Sequence, residues 1–336
     1  MSKCDVMPYF SLIVPVYNRP DEVDELLQSL TSQRCKDFEV ILVEDGSQVP
    51  CDAVAQRYEA LLDIHYYSKP NSGPGQSRNY GAERAKGQYL IVLDSDCIIP
   101  DGYLDAVKAE LESMPADAFG GPDRAHDSFT DVQKAINYAM TSFFTTGGIR
   151  GGKKKLDKFY PRSFNMGIKA DVYKALGGFS KMRFGEDIDF SIRIFKGGYR
   201  CRLFPEAWVW HKRRTDLRKF FKQVHNSGIA RINLYKKYPD SIKLVHMLPA
   251  IFTIGVVLLL LGTPFIPALS SLIWLFMLII FLDSSLQNKS IKIGALSVIA
   301  SFVQLIGYGT GFLRAWWLRC VCRKDEFEAF KDSFYK

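Results

Sequence analysis

"VLDSDCIIP", residues 92–100, ends a hydrophobic run with two carboxylates two positions apart. A short, continuous apolar run suits a strand buried on both faces, and such strands belong to parallel sheets covered by helices. One acid at the end of such a strand caps the next helix or forms a turn. Two of them, Asp94 and Asp96 with Ser95 between, raise the question of which positive charge they face. Taken alone, Asp-x-Asp leaves the cap and the ligand site both open.

The surrounding sequence supplies the fold class. "FSLIVPV" (10–16), "FEVILVED" (38–45), "DIHYYSK" (63–69) and "QYLIVLD" (88–94) read as strands. Between the first two, "PDEVDELLQSLTSQ" has Pro20 and acids in its first turn and Val23, Leu26, Leu27 and Leu30 on one helical face. "GPGQSRNYGAERAKG" reads as a helix running to Gly87. Alternating strands and helices predict an α/β fold with an open, Rossmann-like, mostly parallel sheet. Ligands of such sheets bind beyond the carboxyl ends of the strands, where Asp45, Asp94 and Asp96 all stand.

The 336 residues carry a formal net charge of +8, which calls for an anionic partner: phosphorylated ligand, acidic lipid or nucleic acid. Hydropathy narrows the choice. No charged residue occurs from Met247 to Leu282, enough for two short membrane crossings joined by "TPFIP" (263–267), and a third uncharged run covers Ile293 to Leu313. A buried soluble core is the alternative that such lengths disfavour. Ahead of these runs, residues 216–238 interleave Arg218, Lys219, Lys222, Arg231, Lys236 and Lys237 with apolar and aromatic residues, as in an interfacial helix on anionic lipid interrupted near Gly228. A solvated charged face is the plainer alternative. With the charge concentrated beside the membrane runs, no nucleic-acid partner is expected. "TTGGIRGGKKKLDKF" (145–159) reads as a basic loop. The expected organisation is an α/β domain over 1–215, a basic interfacial segment over 216–245 and membrane helices over 246–336. The amino terminus shows no long apolar secretory stretch, and the seven cysteines contain no CxxC pair, which fits a reducing compartment.

Further chemistry-bearing stretches follow the strands. Hard cations such as Mg²⁺ and Mn²⁺ take oxygen ligands, and a diphosphate supplies several, so one or two carboxylates suffice to hold a metal–diphosphate complex. "VEDGS" (43–47) sets Asp45 where a base or ribose can be met, and "NSGPGQSRNYG" (71–81) leads Arg78 into a helix. "FGEDIDF" (184–190) places Glu186 and Asp187 before an amphipathic helix, where first-turn acids are also commonly structural. "WVWHKRRT" (208–215) sets His211 beside three cations.

Together, "SLIVPVYNRPDEVDELLQSLTSQ", "VEDGS", "NSGPGQSRNYG", "LDSDC", "FNMGIKADVYKALGGF" and "GEDIDFSIRIFKGGYR" resemble, in order and spacing over residues 9–215, the family 2 glycosyltransferases of the GT-A fold. The resemblance implies Pro15, Tyr17 and Asp45 around the nucleobase and ribose, and Arg78 near the base or diphosphate. It implies Asp94, Ser95 and Asp96 as the DxD that meets donor and metal, with Asp96 the more direct contact. His211 matches a histidine that completes the metal shell in some members, and Asp187 matches the general base. Asn165, Gly167 and Glu186 would lie near the donor sugar or acceptor.

The implied reaction is a single inverting displacement, assisted by Mn²⁺ or Mg²⁺, from a nucleotide-diphosphate sugar to a hydroxyl. The QxxRW motif of processive members is missing, "KQVHNSG" from Lys222 being the nearest stretch, so single addition to a membrane-borne, polyprenyl-linked glycan or lipid is expected. The alternatives are a polyprenyl-phosphate sugar synthase and a non-catalytic nucleotide-sugar-binding scaffold. The expected location is the inner membrane, multi-pass, with a cytoplasmic catalytic domain. Gly294, Gly307, Gly309 and Gly311 allow a broken or re-entrant third segment that keeps Arg314, Arg319, Arg323 and Lys324 cytosolic.

Overall fold

The structure is a computed structural model describing residues 7–124, 129–147, 159–212 and 214–331; the basic stretch Lys153–Lys158 and the N-terminal six residues lie outside them. Ten strands occur in the described residues: β1 (Phe10–Val16), β2 (Phe38–Asp45), β3 (Ile64–Lys69), β4 (Tyr89–Leu93), β5 (Cys97–Ile98), β6 (Ala118–Gly120), β7 (Asp123–Arg124), β8 (Asn165–Lys169), β9 (Cys201–Leu203) and β10 (Val209–His211). The main sheet has the order β3-β2-β1-β4-β8-β6-β9. Strands β1 to β4 run parallel, β8 is antiparallel to both of its neighbours, and β9 is parallel to β6. Strands β1, β2 and β4 are buried almost throughout, as expected of strands covered on both faces. Pro15 is tolerated in β1 because pairing with β4 stops at Ile13, two residues earlier.

Helix Pro20–Thr31 buries Val23, Leu26, Leu27 and Leu30, the expected face. The helix expected to reach Gly87 stops at Ala82. Its continuation is diverted because the Lys86 amide donates to Glu39 Oε1 (2.6 Å) and the Gly87 amide to Ser11 Oγ (2.8 Å), which draws the chain into β4. A second sheet, β5-β10-β7, pairs β10 antiparallel to β5 with His211 opposite Cys97.

The described residues form two compact units: residues 7–124 with 159–212, and residues 129–147 with 214–331. Residues 129–147, expected within the catalytic domain, thus belong to the second unit. Helix Asp131–Thr141 opens with a Thr130–Gln133 capping box. It packs Ala135, Ile136, Ala139 and Met140 against Phe220, Val224, Ile293 and Ala300. Three helices of the second unit, Leu244–Gly262, Pro267–Asn288 and Ile291–Val321, are long and apolar enough to cross a membrane, with mean hydropathies of 2.5, 2.0 and 1.6.

Two expectations about glycine are corrected here. Helix Leu217–Lys237 is continuous through Gly228, and the third apolar helix runs through all four of its glycines from Ile291 to Trp316 before a π-helical turn to Val321. The glycines serve close packing instead. A Cβ on Gly228 would stand 2.2 Å from the Tyr308 carbonyl oxygen, and one on Gly311 would stand 2.0 Å from that of His225. Small residues let helix backbones approach in lipid, where apolar side chains gain little by leaving the solvent.

Gly228→Leu should push these helices apart and cost about 1–3 kcal/mol, the usual range for overpacking. Thermal unfolding of the detergent-solubilised protein checks this, with Gly255→Leu as the control, since nothing lies within 4 Å of a Cβ there. The control should melt like wild type.

Candidate active site

Strand β4 delivers Asp94 to the rim of the sheet, and a turn closed by the Cys97 amide on the Asp94 carbonyl (3.1 Å) turns the chain so that Asp96 follows, with Ser95 buried inside it. The β10–β5 pairing then brings in His211. Its Nε2 lies 3.1 Å from Asp96 Oδ1 and 3.9 Å from Asp94 Oδ2. Its ring stacks on Phe164 with centroids 4.9 Å apart. The Lys212 amide donates to the Asp96 carbonyl (3.2 Å), which fixes the register.

Two arginines complete the surroundings of the acids. Arg19, immediately before helix Pro20–Thr31, donates to Asp96 Oδ2. Arg78, buried in helix Pro74–Ala82, donates to Asp94 Oδ1 (2.8 Å) and Glu186 Oε1 (3.2 Å), with its guanidinium 5.3 Å from the Phe179 ring centre. Glu186 and Asp187 lie in the first turn of helix Glu186–Lys196, which follows Gly185 at φ +85°, a conformation that glycine adopts freely. Asp187 Oδ2 accepts from Arg162 Nε at 2.6 Å.

The charges set one another. Burial pushes the Asp96 carboxyl up, but His211 and Arg19 outweigh it and hold Asp96 well below the ordinary range. Burial likewise opposes ionisation of Asp187, and Arg162 outweighs it, so Asp187 is a depressed, ionised acid. Glu186 goes the other way: burial and the neighbouring Asp187 raise it despite Arg78.

Asp96 and His211 have the spacing and donor types of a divalent-ion site, with Asp94 3.9 Å from the imidazole. Adjacent ligand atoms of an octahedral ion with bonds of about 2.1 Å lie about 3 Å apart. The Asp96–His211 separation of 3.1 Å fits that, and an imidazole with carboxylates suits Mn²⁺ better than Ca²⁺. Cys97 lies in the same cluster. Burial raises its thiol far above the usual value, and it donates to the Phe164 carbonyl instead (3.5 Å).

The remaining expected residues separate into two groups. Pro15, Tyr17 and Asp45 share the rim at the carboxyl ends of β1 and β2, with Tyr17 49% exposed. The Asp45 carboxylate is engaged by Lys69 and by the amides of Ser72 (2.9 Å) and Gly73 (2.8 Å), so it also shapes the loop leading to Arg78. Asn165 and Gly167 do not join the charged cluster. Asn165 is fully buried, accepting from Tyr103 Oη (2.7 Å) and donating to the Ala207 carbonyl (2.7 Å). Gly167 lies beneath Phe119, whose ring a Cβ would meet at 2.0 Å. Both pack inside the unit, apart from the charged cluster near which a sugar or acceptor contact was expected.

Sequence reasoning missed Arg19 and Arg162. Arg19 in "NRP" was legible as a cation at the end of the first strand. Arg162 lies in an irregular loop, and no pattern links it to Asp187, 25 residues later.

Residues 11–177 match the family model Glycosyl transferase family 2. An uncharacterized glycosyltransferase of Haemophilus influenzae is 31% identical over 194 residues, 55% of this chain and 62% of that protein. Glycosyltransferase AglE of Haloferax volcanii is 25% identical over 265 residues, 74% of this chain and 81% of that protein. Several curated relatives are much longer, this chain spanning 15% to 22% of their length. Among solved structures, the mannosyltransferase PcManGT from Pyrobaculum calidifontis, in complex with GDP-Man and Mn²⁺, matches with a TM-score of 0.66 over 94% of this chain and 89% of that one at 17% identity, a likeness of fold. Through residues 11–177 and the GT-A architecture around them, the chain belongs to the family 2 glycosyltransferases.

Proposed function

We propose that this glycosyltransferase moves a sugar, with inversion, from a nucleotide-diphosphate sugar to a hydroxyl of a membrane-borne, polyprenyl-linked glycan or lipid used in surface-polysaccharide assembly. The carrying observation is the division of carboxylates: Asp94 and Asp96 gather beside His211, while Asp187 stands apart on another element with its own cation. Asp94, Asp96 and His211 would hold Mn²⁺ or Mg²⁺, which when bound supplies positive charge to a departing nucleoside diphosphate. Arg78 holds Asp94 and Glu186 at fixed positions, and Arg19 does the same for Asp96. Pro15, Tyr17 and Asp45 offer the rim on which the nucleoside rests. Asp187 takes the proton of the incoming hydroxyl on a carboxylate oxygen.

Arg162 tempers that last step. By depressing Asp187 it keeps the base ionised at neutral pH and weak as a proton acceptor. A weak base also favours a second reading, a polyprenyl-phosphate sugar synthase, whose acceptor is already an anion. Assaying polyprenyl phosphate against a polyprenyl-diphosphate sugar separates the two.

Asp187→Asn should lose about 10²- to 10⁴-fold in kcat while keeping donor affinity. Arg162→Gln removes the cation that outweighs burial, so Asp187 rises and must be deprotonated at higher pH. The acid limb of the kcat/KM profile should therefore move to higher pH, with the plateau reached later. An acid limb unchanged in Arg162→Gln would remove Asp187 as the titrating base.

The location proposed is the inner membrane, with the catalytic unit cytoplasmic. The first two apolar helices would cross as a hairpin. The third touches them near the hairpin's open end: Ser297 meets Ser284 (2.7 Å), Gly294 lies against Ser285, and Gly309 against Pro249 and Thr253. The Phe252–Phe276–Phe302 cluster is the deepest of these contacts. At the two ends of the third helix, Lys292 pairs with Asp131 (2.8 Å) and Arg319 with Asn233 (3.1 Å). Such contacts favour a helix lying across the base of the hairpin, with both ends on one face. Cys320 and Cys322 should then react with an impermeant maleimide in inside-out vesicles and not in intact cells; the reverse pattern would make the third helix a full crossing.

A further inference from the structure

We propose that Glu39, Asp63 and His65 form a second divalent-cation site, of the zinc class, which staples edge strand β3 to β2. The three residues meet at the amino ends of these strands. Glu39 is the second residue of β2, His65 the second of β3, and Asp63 immediately precedes β3, its carbonyl accepting from the Val40 amide at 2.8 Å. Asp45, on the catalytic rim, lies six residues further along β2, about 20 Å at strand rise, so this group is separate from Asp94, Asp96 and His211.

The spacing suits a tetrahedral ion. His65 Nε2 lies 3.2 Å from Glu39 Oε2 and 3.7 Å from Asp63 Oδ1. Ligand atoms around a tetrahedral Zn²⁺ with bonds of about 2.0–2.1 Å are separated by about 3.4 Å. Glu39 is fully buried, and its orientation is fixed by Ser11 Oγ (2.6 Å) and the Lys86 amide (2.6 Å), both on Oε1. Hydrogen bonds of that kind commonly orient a ligating carboxylate from behind. The other oxygen, Oε2, is buried without a hydrogen-bond partner, and so is His65 Nε2, although the two atoms are only 3.2 Å apart. Atoms at ligand spacing whose directions do not make a hydrogen bond are arranged like two donors sharing an ion. A buried carboxylate oxygen left in this way is costly, and a cation satisfies it. Two carboxylates and a neutral imidazole sum to −2, which a divalent ion neutralises. Asp63, with its side chain 59% exposed, leaves a path for entry and one position for water.

The test is metal uptake by the full-length, detergent-solubilised, chelator-stripped protein, read without any sugar transfer. Asp94→Asn/Asp96→Asn removes the rim carboxylates; this variant should still take up one equivalent of Co²⁺ with the intense visible absorption of tetrahedral cobalt, lose that absorption when Zn²⁺ is added, and melt at higher temperature with Zn²⁺ than without. Adding His65→Ala, or Asp63→Asn as a milder change, should abolish the absorption and the Zn²⁺-dependent rise in Tm. In the otherwise wild-type chain, His65→Ala should lower total uptake by one equivalent, which keeps the test valid if the rim variant folds poorly. Equal uptake and spectra with and without His65, or no uptake with ten-fold excess cobalt, would overturn the proposal and leave Glu39 and His65 as an ion pair. Failure here would leave the catalytic reading untouched, since the two sites are scored by different variants.

Discussion

Asp94 and Asp96 stand where a fully buried strand reaches the rim of the sheet, and carboxylates crowded in such a place are costly unless cations meet them. Much of the catalytic unit brings cations or an imidazole to them. Helix Pro20–Thr31 begins just after Arg19, helix Pro74–Ala82 carries Arg78 beneath Asp94, and β10 pairs with β5 so that His211 arrives beside Asp96. The contacts run from Arg19 through Asp96, His211 and Asp94 to Arg78 and Glu186, so that each carboxylate meets a nitrogen partner. Removing one member leaves its neighbour buried and uncompensated, which costs more than the pair contributes. A site built this way holds its geometry before any ligand arrives.

Such contacts also separate the acids by task. Asp96 and Asp187 are both depressed, by different cations, whereas Glu186 between Arg78 and Asp187 is raised. Neighbouring carboxylates in one site thus have different proton affinities because of what each faces, a pattern that accompanies division of roles in catalysis. The Arg162–Asp187 contact is the least expected part of it, since it ties the proposed base to a side chain outside every motif.

The four parallel strands were legible because their apolar runs are short, continuous and bounded by turn residues, and the face of helix Pro20–Thr31 because its leucines recur at helical spacing. Strands β6, β8 and β9 were not legible. They are three to five residues long, and β8, "NMGIK", carries no alternation that separates it from loop. Of the site, the acids and His211 were readable as motifs. Arg19 was legible only as a cation at a strand end and Arg162 not at all, because each reaches its acid through tertiary folding. The second unit shows the same limit: hydropathy located three long helices, but the glycine at 228 was read as an interruption and those at 294–311 as allowing one, when they mark where helices touch. Gly228 meets Tyr308, 80 residues away, and local sequence cannot report such a contact.

The most direct measurement of the central claim is donor retention as a function of divalent ion. Purified protein stripped with a chelator should lose retention of nucleotide-diphosphate sugars from a donor panel and regain it on addition of Mn²⁺ or Mg²⁺, and Asp96→Ala should not regain it. Retention of the donor by the chelated protein at undiminished affinity, with Asp96→Ala equal to wild type, would contradict the account.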